Sequence, residues 1–213
     1  MDIFLKAKEN KDEVIVCTIS SILSGTYQSA CIAKEIAEYE NIYILDSLNA
    51  TQGLRILVLK AIELRDQGMS YQDMITYLEA YKQRIKIFGV VDTLEYFYKG
   101  GRLSKTAAMA GSLLKFKPVL GLKDGKLDMF SKGRGTSKAT LKLIELVHEN
   151  GDIDLNEPII LGTTGNHTDI EKFETTLKDE FHFQDVLYGF VGPVIGTHAG
   201  PGARLIAYVK KES

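Results

Sequence analysis

Cysteine is scarce in this chain: 213 residues hold two, Cys17 and Cys31, and they do not form a CxxC pair. A disulfide framework or a thiolate metal site needs more thiols at closer spacing. Both cysteines therefore read as small buried hydrophobes of a reducing compartment. Histidine is nearly as sparse. His148, His167, His182 and His198 show no metal-ligand spacing, and without further cysteines no zinc site is expected. An excess of either charge is missing too, since 26 Lys and Arg against 28 Asp and Glu leave a formal net charge of −2. No strongly basic face follows, so composition gives nucleic-acid binding no support. No apolar run approaches the roughly 20 residues of a membrane-spanning helix. The first residues, Met1 to Lys8, lack the apolar core of a secretory signal. The expectation is a cytoplasmic protein. At 45% hydrophobic and 25% charged residues, the composition is that of an ordinary globular chain, one large or two small domains with a substantial core.

What the chain does have is a regular succession of apolar runs. Residues 2–9 read as the end of a helix, with Ile3, Phe4 and Ala7 on one face. Val14–Ile19 reads as a buried strand, Thr26–Glu38 as a helix and Ile42–Leu45 as a second strand. A helix is predicted over Asn49–Gln67, with Leu54, Leu57, Val58, Ala61 and Ile62 inward, and Gly68 ends it. Ser70 with Asp73 resembles a cap for a further helix to Lys82. The order β-α-β-α-α argues for a parallel, helix-covered sheet. The second part changes character. Strands are predicted at Ile85–Val91 and Ile159–Thr163, and a hairpin at Lys117–Ser131 around Asp124-Gly125. Helices are predicted at Asp92–Lys99, Ser104–Leu114, Gly135–Glu149 (Leu141, Ile144, Leu146 and Val147 inward) and Asp169–Phe181. Two last strands, Asp185–Val191 and Ala203–Lys210, close the chain. The expectation is an α/β protein of two domains. Residues 1–83 form an incomplete parallel-sheet domain, and residues 84–213 an α/β domain with a mixed, largely antiparallel sheet.

Between the last two strands lies Gly192-Pro193-Val194-Ile195-Gly196-Thr197-His198-Ala199-Gly200-Pro201-Gly202. So many glycines and prolines predict neither helix nor strand. The segment reads as a rigid loop that offers a ligand Thr197, His198 and a close approach to backbone. Two other polar clusters stand out. In Ser20–Ala30, Ser24 or Thr26 is placed to cap a helix. That helix start, with its positive dipole end and free N–H groups, suits a carboxylate or phosphate as well as an ordinary cap. In Asp92–Ser104, Gly100-Gly101 stops a helix and leaves Arg102 in the joint, free to pair with Asp92 or Glu95 or to present its planar fork to a phosphate. Arg134, among glycines before the next helix, repeats that chemistry. Ser24 and His198 also make a nucleophile–base pair on paper. However, Leu-Ser-Gly is not the GxSxG elbow, and Asp46 and Asp92 are loose candidates for the orienting acid. There is no P-loop lysine motif and no dinucleotide fingerprint.

Ile19–Ala30 with its Ser24-Gly25-Thr26, Asp92–Tyr96 with Gly100-Gly101-Arg102-Leu103-Ser104, and Gly192–Gly202 together resemble the DegV family. The resemblance runs from about Asp2 to Lys210. DegV proteins are bacterial fatty-acid-binding proteins that act as the B subunit of fatty acid kinase. The resemblance implies one long-chain fatty acid held between two domains. Its carboxylate would be bound by Ser24, Gly25, Thr26, Thr197 and His198, with Ser24 and His198 matching the family's serine and histidine. It also implies an ATP-dependent kinase subunit as partner, with acyl phosphate made for phospholipid synthesis and Arg102 and Arg134 serving the phosphate or the docking of the kinase. No cofactor, metal or nucleotide site of its own is expected, no nucleic acid, and a membrane touched at most transiently. An acyl chain of ~14–17 methylenes at about 0.8 kcal/mol each supplies ample driving force before ordering costs. Family members usually begin with a further segment, so the resemblance implies a chain shortened at its N-terminus. Arg204-Leu205 stands where the family usually has Leu-Gly. Two other readings remain beside the carrier: a nonfunctional remnant, and a serine hydrolase or acyl transferase using Ser24 and His198.

Overall fold

The structure, a computed structural model, describes residues 1–103 and 115–212; the helix expected at Ser104–Leu114 lies outside the described residues. The chain opens with α1 (Asp2–Asn10), β1 (Val14–Thr18), α2 (Thr26–Ala37) and β2 (Ile42–Asp46). β1 and β2 pair in parallel, Val14 opposite Ile42 through Thr18 opposite Asp46, with α2 as the crossover that such a pair requires. α1 buries Phe4 and Ala7, and Phe4 packs with Ala37 and Ile42. Ile3, expected on the same face, is 77% exposed.

α3 (Thr51–Asp66) and α4 (Tyr71–Arg84) follow. Ser70 caps α4: its Oγ accepts the Asp73 N–H at 3.2 Å and donates to Asp73 Oδ2 at 2.6 Å. α4 passes into β3 (Ile85–Val90) without an intervening residue. The remaining elements are α5 (Glu95–Lys99), β4 (Phe116–Lys123), β5 (Lys126–Arg134), α6 (Gly135–Glu149), β6 (Ile160–Thr163), α7 (His167–Phe181), β7 (Leu187–Phe190), α8 (Pro193–Ala199) and β8 (Arg204–Val209). Six of the strands form one sheet in the order β5-β4-β3-β8-β6-β7. All of its pairings are antiparallel except β6 with β7. The hairpin at Asp124-Gly125 turns through two positive φ angles, 51° and 79°, as a tight two-residue turn demands. The architecture is therefore α/β, with a parallel two-stranded sheet and a mixed six-stranded one.

α8 corrects an expectation. The glycine-rich segment is helical over seven residues, where its composition predicts neither helix nor strand. Pro193 occupies the first turn, where its missing N–H costs nothing and its fixed φ suits a helix. Gly196 in the interior costs only about 1 kcal/mol, and burial of Ala199 against α5 and its neighbours offsets it. Gly200, at φ 74°, stops the helix.

The core has two sides. On one face of the six-stranded sheet, α6 and α7 bury Leu143, Val147, Phe173 and Leu177 against Phe88, Val90, Leu161 and Ile206. Leu141, expected inward, is 54% exposed, and Leu143 takes its place. On the other face, α3 and α4 cover Ile85, Ile87, Ile160, Ala207 and Val209. The buried line of α3 is Gln52, Ile56, Leu57, Lys60 and Leu64, while Val58 and Ile62 are exposed. The face is rotated from the one hydrophobicity predicts and carries two polar residues, Lys60, which is paired, and Gln52, whose buried Oε1 has no partner among the described residues. Lys60 Nζ bridges Glu63 at 2.7 Å and Glu157 at 3.1 Å. The Gln52 side chain lies against two glycines, its Cγ against Gly162 and its amide against Gly189, where a Cβ would overlap it. Those glycines are opposite one another in the β6–β7 ladder.

Ile206 is fully buried in a central strand. Its replacement by Ala is expected to remove about 2–5 kcal/mol of stability, read as a lower urea midpoint with an unchanged slope. Burial also pushes the Cys17 thiol on β1 up to about 11. Because only the thiolate reacts, Cys17 is expected to resist iodoacetamide at pH 8 and to become reactive only as the pH nears that value or the chain unfolds. Peptide mass spectrometry of alkylated native and unfolded protein reads the difference.

Candidate functional site

α3 and α4 cover only part of their side of the six-stranded sheet. Beyond them the floor is Ile87, Gly89 and Val91, Leu120 and Leu122, and Ala203 and Leu205. Above this floor lies a cavity of about 240 Å³. Phe97 after α5 begins, and Val194, Ile195, His198 and Ala199 of α8, close one side. Ile19, Leu23, Ser24 and Thr26 around the β1–α2 loop, with Ala50 and Thr51 at the start of α3, close the other. Most of this lining is apolar, and Ser24, Thr26, Arg102 and His198 bring polar side chains to it, an arrangement that suits an apolar ligand with a polar end.

The rim is assembled from segments far apart in sequence. Gly25 is the N-cap residue of α2 and makes no side-chain cap. Ser24 Oγ accepts the Thr26 N–H at 3.3 Å and shares a 2.9 Å hydrogen bond with Thr26 Oγ1. The first helical bond runs from Ser29 N to Gly25 O, so the first-turn N–H groups lie outside the helical ladder, as at any helix start. Arg102 reaches across to this loop. Its Nε donates to Leu23 O at 3.1 Å and its Nη1 to Gly100 O at 2.7 Å. The sequence offers Asp92 and Glu95 as its partners, but these pair instead with Lys117 at 2.8 Å and Lys99 at 2.6 Å. Arg102 thus joins the α5 turn to the Ser24 loop and lines the cavity.

His198 lies near the end of α8 with the Nδ1 edge of its ring against Gly100. A Cβ at Gly100 would overlap Nδ1. That nitrogen is buried and has no hydrogen-bond partner among the described residues. Nε2 is therefore the nitrogen left for a ligand, and a half-buried imidazole with spare bonding capacity beside an apolar cavity favours a polar guest.

The structure brings Ser24, Thr26, Arg102 and His198 to one cavity. It does not bring Thr197 there: that residue is exposed and its hydroxyl donates to Val194 O at 2.9 Å. Arg134, exposed at the start of α6, and Gly25, exposed at the start of α2, are not part of the cavity wall. Arg204 contributes backbone: its carbonyl lies against Gly89, and its partner Val90 belongs to the opposite face of the sheet. Thr51, which also lines the cavity, carries no signal in the sequence. It holds φ at 47°, and its buried hydroxyl has no partner among the described residues. A threonine at the head of a helix reads as a cap, and nothing in composition distinguishes this one.

The hydrolase arrangement is not assembled. Ser24 Oγ is engaged with Thr26. Asp46 Oδ1 accepts the N–H groups of Ser21 and Leu48, and Asp92 is held by Lys117, so neither acid orients His198 as a relay requires. Among the described residues there is no group of three or more His, Cys, Asp or Glu suited to a metal ion, and no helix long and apolar enough to cross a membrane.

A protein-family model described as "Uncharacterised protein, DegV family" matches residues 1–211. The chain is 36% identical over 215 residues to a DegV domain-containing protein of Caldanaerobacter subterraneus subsp. tengcongensis, spanning 99% of this chain and 75% of the relative. Its fold is similar to that of the Streptococcus pneumoniae Fatty Acid Kinase (Fak) B3 protein loaded with linoleic acid. There the identity is 26% and the TM-score 0.87, over 99% of this chain and 76% of that one. A Thermus thermophilus DegV family protein, solved in a study of its fatty acid binding, is 28% identical with a TM-score of 0.86, over 98% of this chain and 75% of that one.

Gly100 has φ −74°, which any residue adopts, so Gly100→Ala is expected to leave the backbone intact and displace the His198 ring. Far-UV circular dichroism should be unchanged while the His198 resonances in a ¹H–¹³C spectrum move.

Proposed function

This chain belongs to the DegV family, and from that premise we propose that it binds one long-chain fatty acid. The acyl chain lies along the sheet floor and the carboxylate sits at the rim of Ser24, Arg102 and His198. The observation that carries the reading is the cavity itself, whose wall is mostly apolar and to which Ser24, Arg102 and His198 all contribute. A carboxylate taken out of water needs such partners. Hydroxyls of Ser24 and Thr26, the open N–H groups of α2 and Nε2 of His198 can all donate to it, and the dipole of α2 adds to the attraction.

In this reading residues 1–83 and 84–213 are two domains, and the ligand lies between them. The protein is a carrier with no nucleotide site of its own. A separate ATP-dependent kinase subunit acts on the presented carboxylate: a carboxylate oxygen attacks the terminal phosphorus, ADP leaves, and the acyl phosphate remains for phospholipid synthesis. Arg102 stands where it can neutralise the new phosphate. Arg134, exposed and outside the cavity, is assigned to kinase docking. Thr197 and Gly25, also exposed, act through the backbone that positions His198 and Thr26. The carrier works in the cytoplasm.

The first test is mass spectrometry of the purified protein, under native conditions and after organic extraction. One fatty acid per chain is expected, and a folded, empty protein that also fails to take up added oleate would refute the reading. His198→Ala is expected to weaken fatty acid binding about tenfold or more, the effect of losing a hydrogen bond to a charged group. Unchanged affinity in that variant would remove His198 from the site.

A further inference from the structure

We propose that Thr164 is the positioning residue for His198, and that its hydroxyl sets how firmly the cavity holds a carboxylate. The inference rests on the carboxylate reading above.

Thr164 follows β6 directly, and its hydroxyl is used twice on one loop. Oγ1 donates to Gly200 O at 2.6 Å and accepts the Ala203 N–H at 2.9 Å. Its own N–H donates to Ala203 O at 3.1 Å. Thr163 supports the same point, with Oγ1 donating to Ala203 O at 2.9 Å and accepting the Gly165 N–H at 2.8 Å. Residues 200–203 are the segment that ends α8, and His198 lies two residues before it.

Three features make that clamp matter. First, α8 has seven residues and no side-chain N-cap. A helix so short has little stability of its own, so its ends fix its place. Second, Gly200 and Gly202 both hold φ at 74°, and with no side chains to anchor them the loop depends on hydrogen bonds to its backbone. Third, the far side of the loop is already occupied. A Cβ on Gly200 would overlap the Tyr96 ring, and Gly202 approaches the Asp92 carboxylate. Thr164 holds the loop by hydrogen bonds, Tyr96 of α5 and Asp92 pack against its glycines, and the His198 ring rests on Gly100. Val in place of Thr164 keeps the shape and loses both hydroxyl bonds, whereas Ser keeps both bonds.

The test compares Thr164→Val, Thr164→Ser and wild type for binding of oleate and of oleyl alcohol, which keeps the chain and lacks the charge. His198 imidazole chemical shifts are recorded on the ligand-free proteins. Thr164→Val is expected to bind oleate roughly tenfold more weakly, to bind oleyl alcohol as wild type does, and to move the His198 shifts; Thr164→Ser should match wild type in all three. In a His198→Ala background, Thr164→Val should add no further loss. Should Thr164→Val not fold, Thr164→Ala is measured in the same way, since it leaves room for a water. Equal loss of acid and alcohol, or unmoved His198 shifts, overturns the proposal. If wild type binds neither ligand, the carboxylate reading fails, and the imidazole shifts still decide whether Thr164 positions His198.

Discussion

One face of the six-stranded sheet runs on past α3 and α4, the long helices that cover it among the described residues, and the site follows from that mismatch. α3 and α4 bury the end of the face formed by Ile85, Ile87, Ala207 and Val209. Farther along the same strands, no long helix among the described residues lies over Gly89, Val91, Leu120 and Leu205. Apolar sheet cannot be left open to water without cost. α5 and α8, a few residues each, roof part of it, and the β1–α2 loop leans in from the other sheet. What remains is a cavity rather than a packed core. A ligand with an apolar chain would complete the layer that the helices leave unfinished.

The rim depends on ties between segments that the chain keeps far apart. Arg102 holds Leu23, 79 residues earlier. Ser20, fully buried beside that loop, donates to Gly125 O at the hairpin tip at 2.7 Å. Such bonds fasten the small parallel sheet to the large one at the edge of the cavity. Farther back, Tyr81 donates to Glu157 at 2.7 Å and Arg84 pairs with Asp154 at 2.9 Å, anchoring α4 to the loop before β6. The polar groups of the site therefore sit on a frame held from several directions, which is what fixed geometry at a binding site requires.

The element order was legible because apolar runs and their stops are local properties. Val14–Thr18, Ile42–Asp46 and the Asp124-Gly125 hairpin declare themselves in a few residues. The rotation of α3 was not legible, since Gln52 and Lys60 become acceptable inside only through Gly189 and Glu157, more than 90 residues away in the chain. α8 was hidden by its composition: glycine and proline argue against a helix in isolation, and tertiary contact overrules them. At the site, Ser24 and His198 could be picked out by residue type and motif, and the fold does bring them to one cavity. Thr197 and Arg134 share the same motifs but point elsewhere, because which side of a short helix or strand end faces the cavity is decided by packing. The partner of Arg102 is a backbone carbonyl, which no side-chain pattern announces.

The pair Gly162 and Gly189, side by side beneath the Gln52 side chain, has a consequence for how this sequence can change over generations. A methyl group at Gly189 would overlap the glutamine amide, one at Gly162 would press on its Cγ and on the end of Leu205, and the glutamine packs on the flat patch that the two glycines leave. Three codons spread across the gene thus behave as one character. Drift at any of them is constrained by the other two, and a lineage that abandoned the arrangement would have to replace all three together or pass through a less stable intermediate.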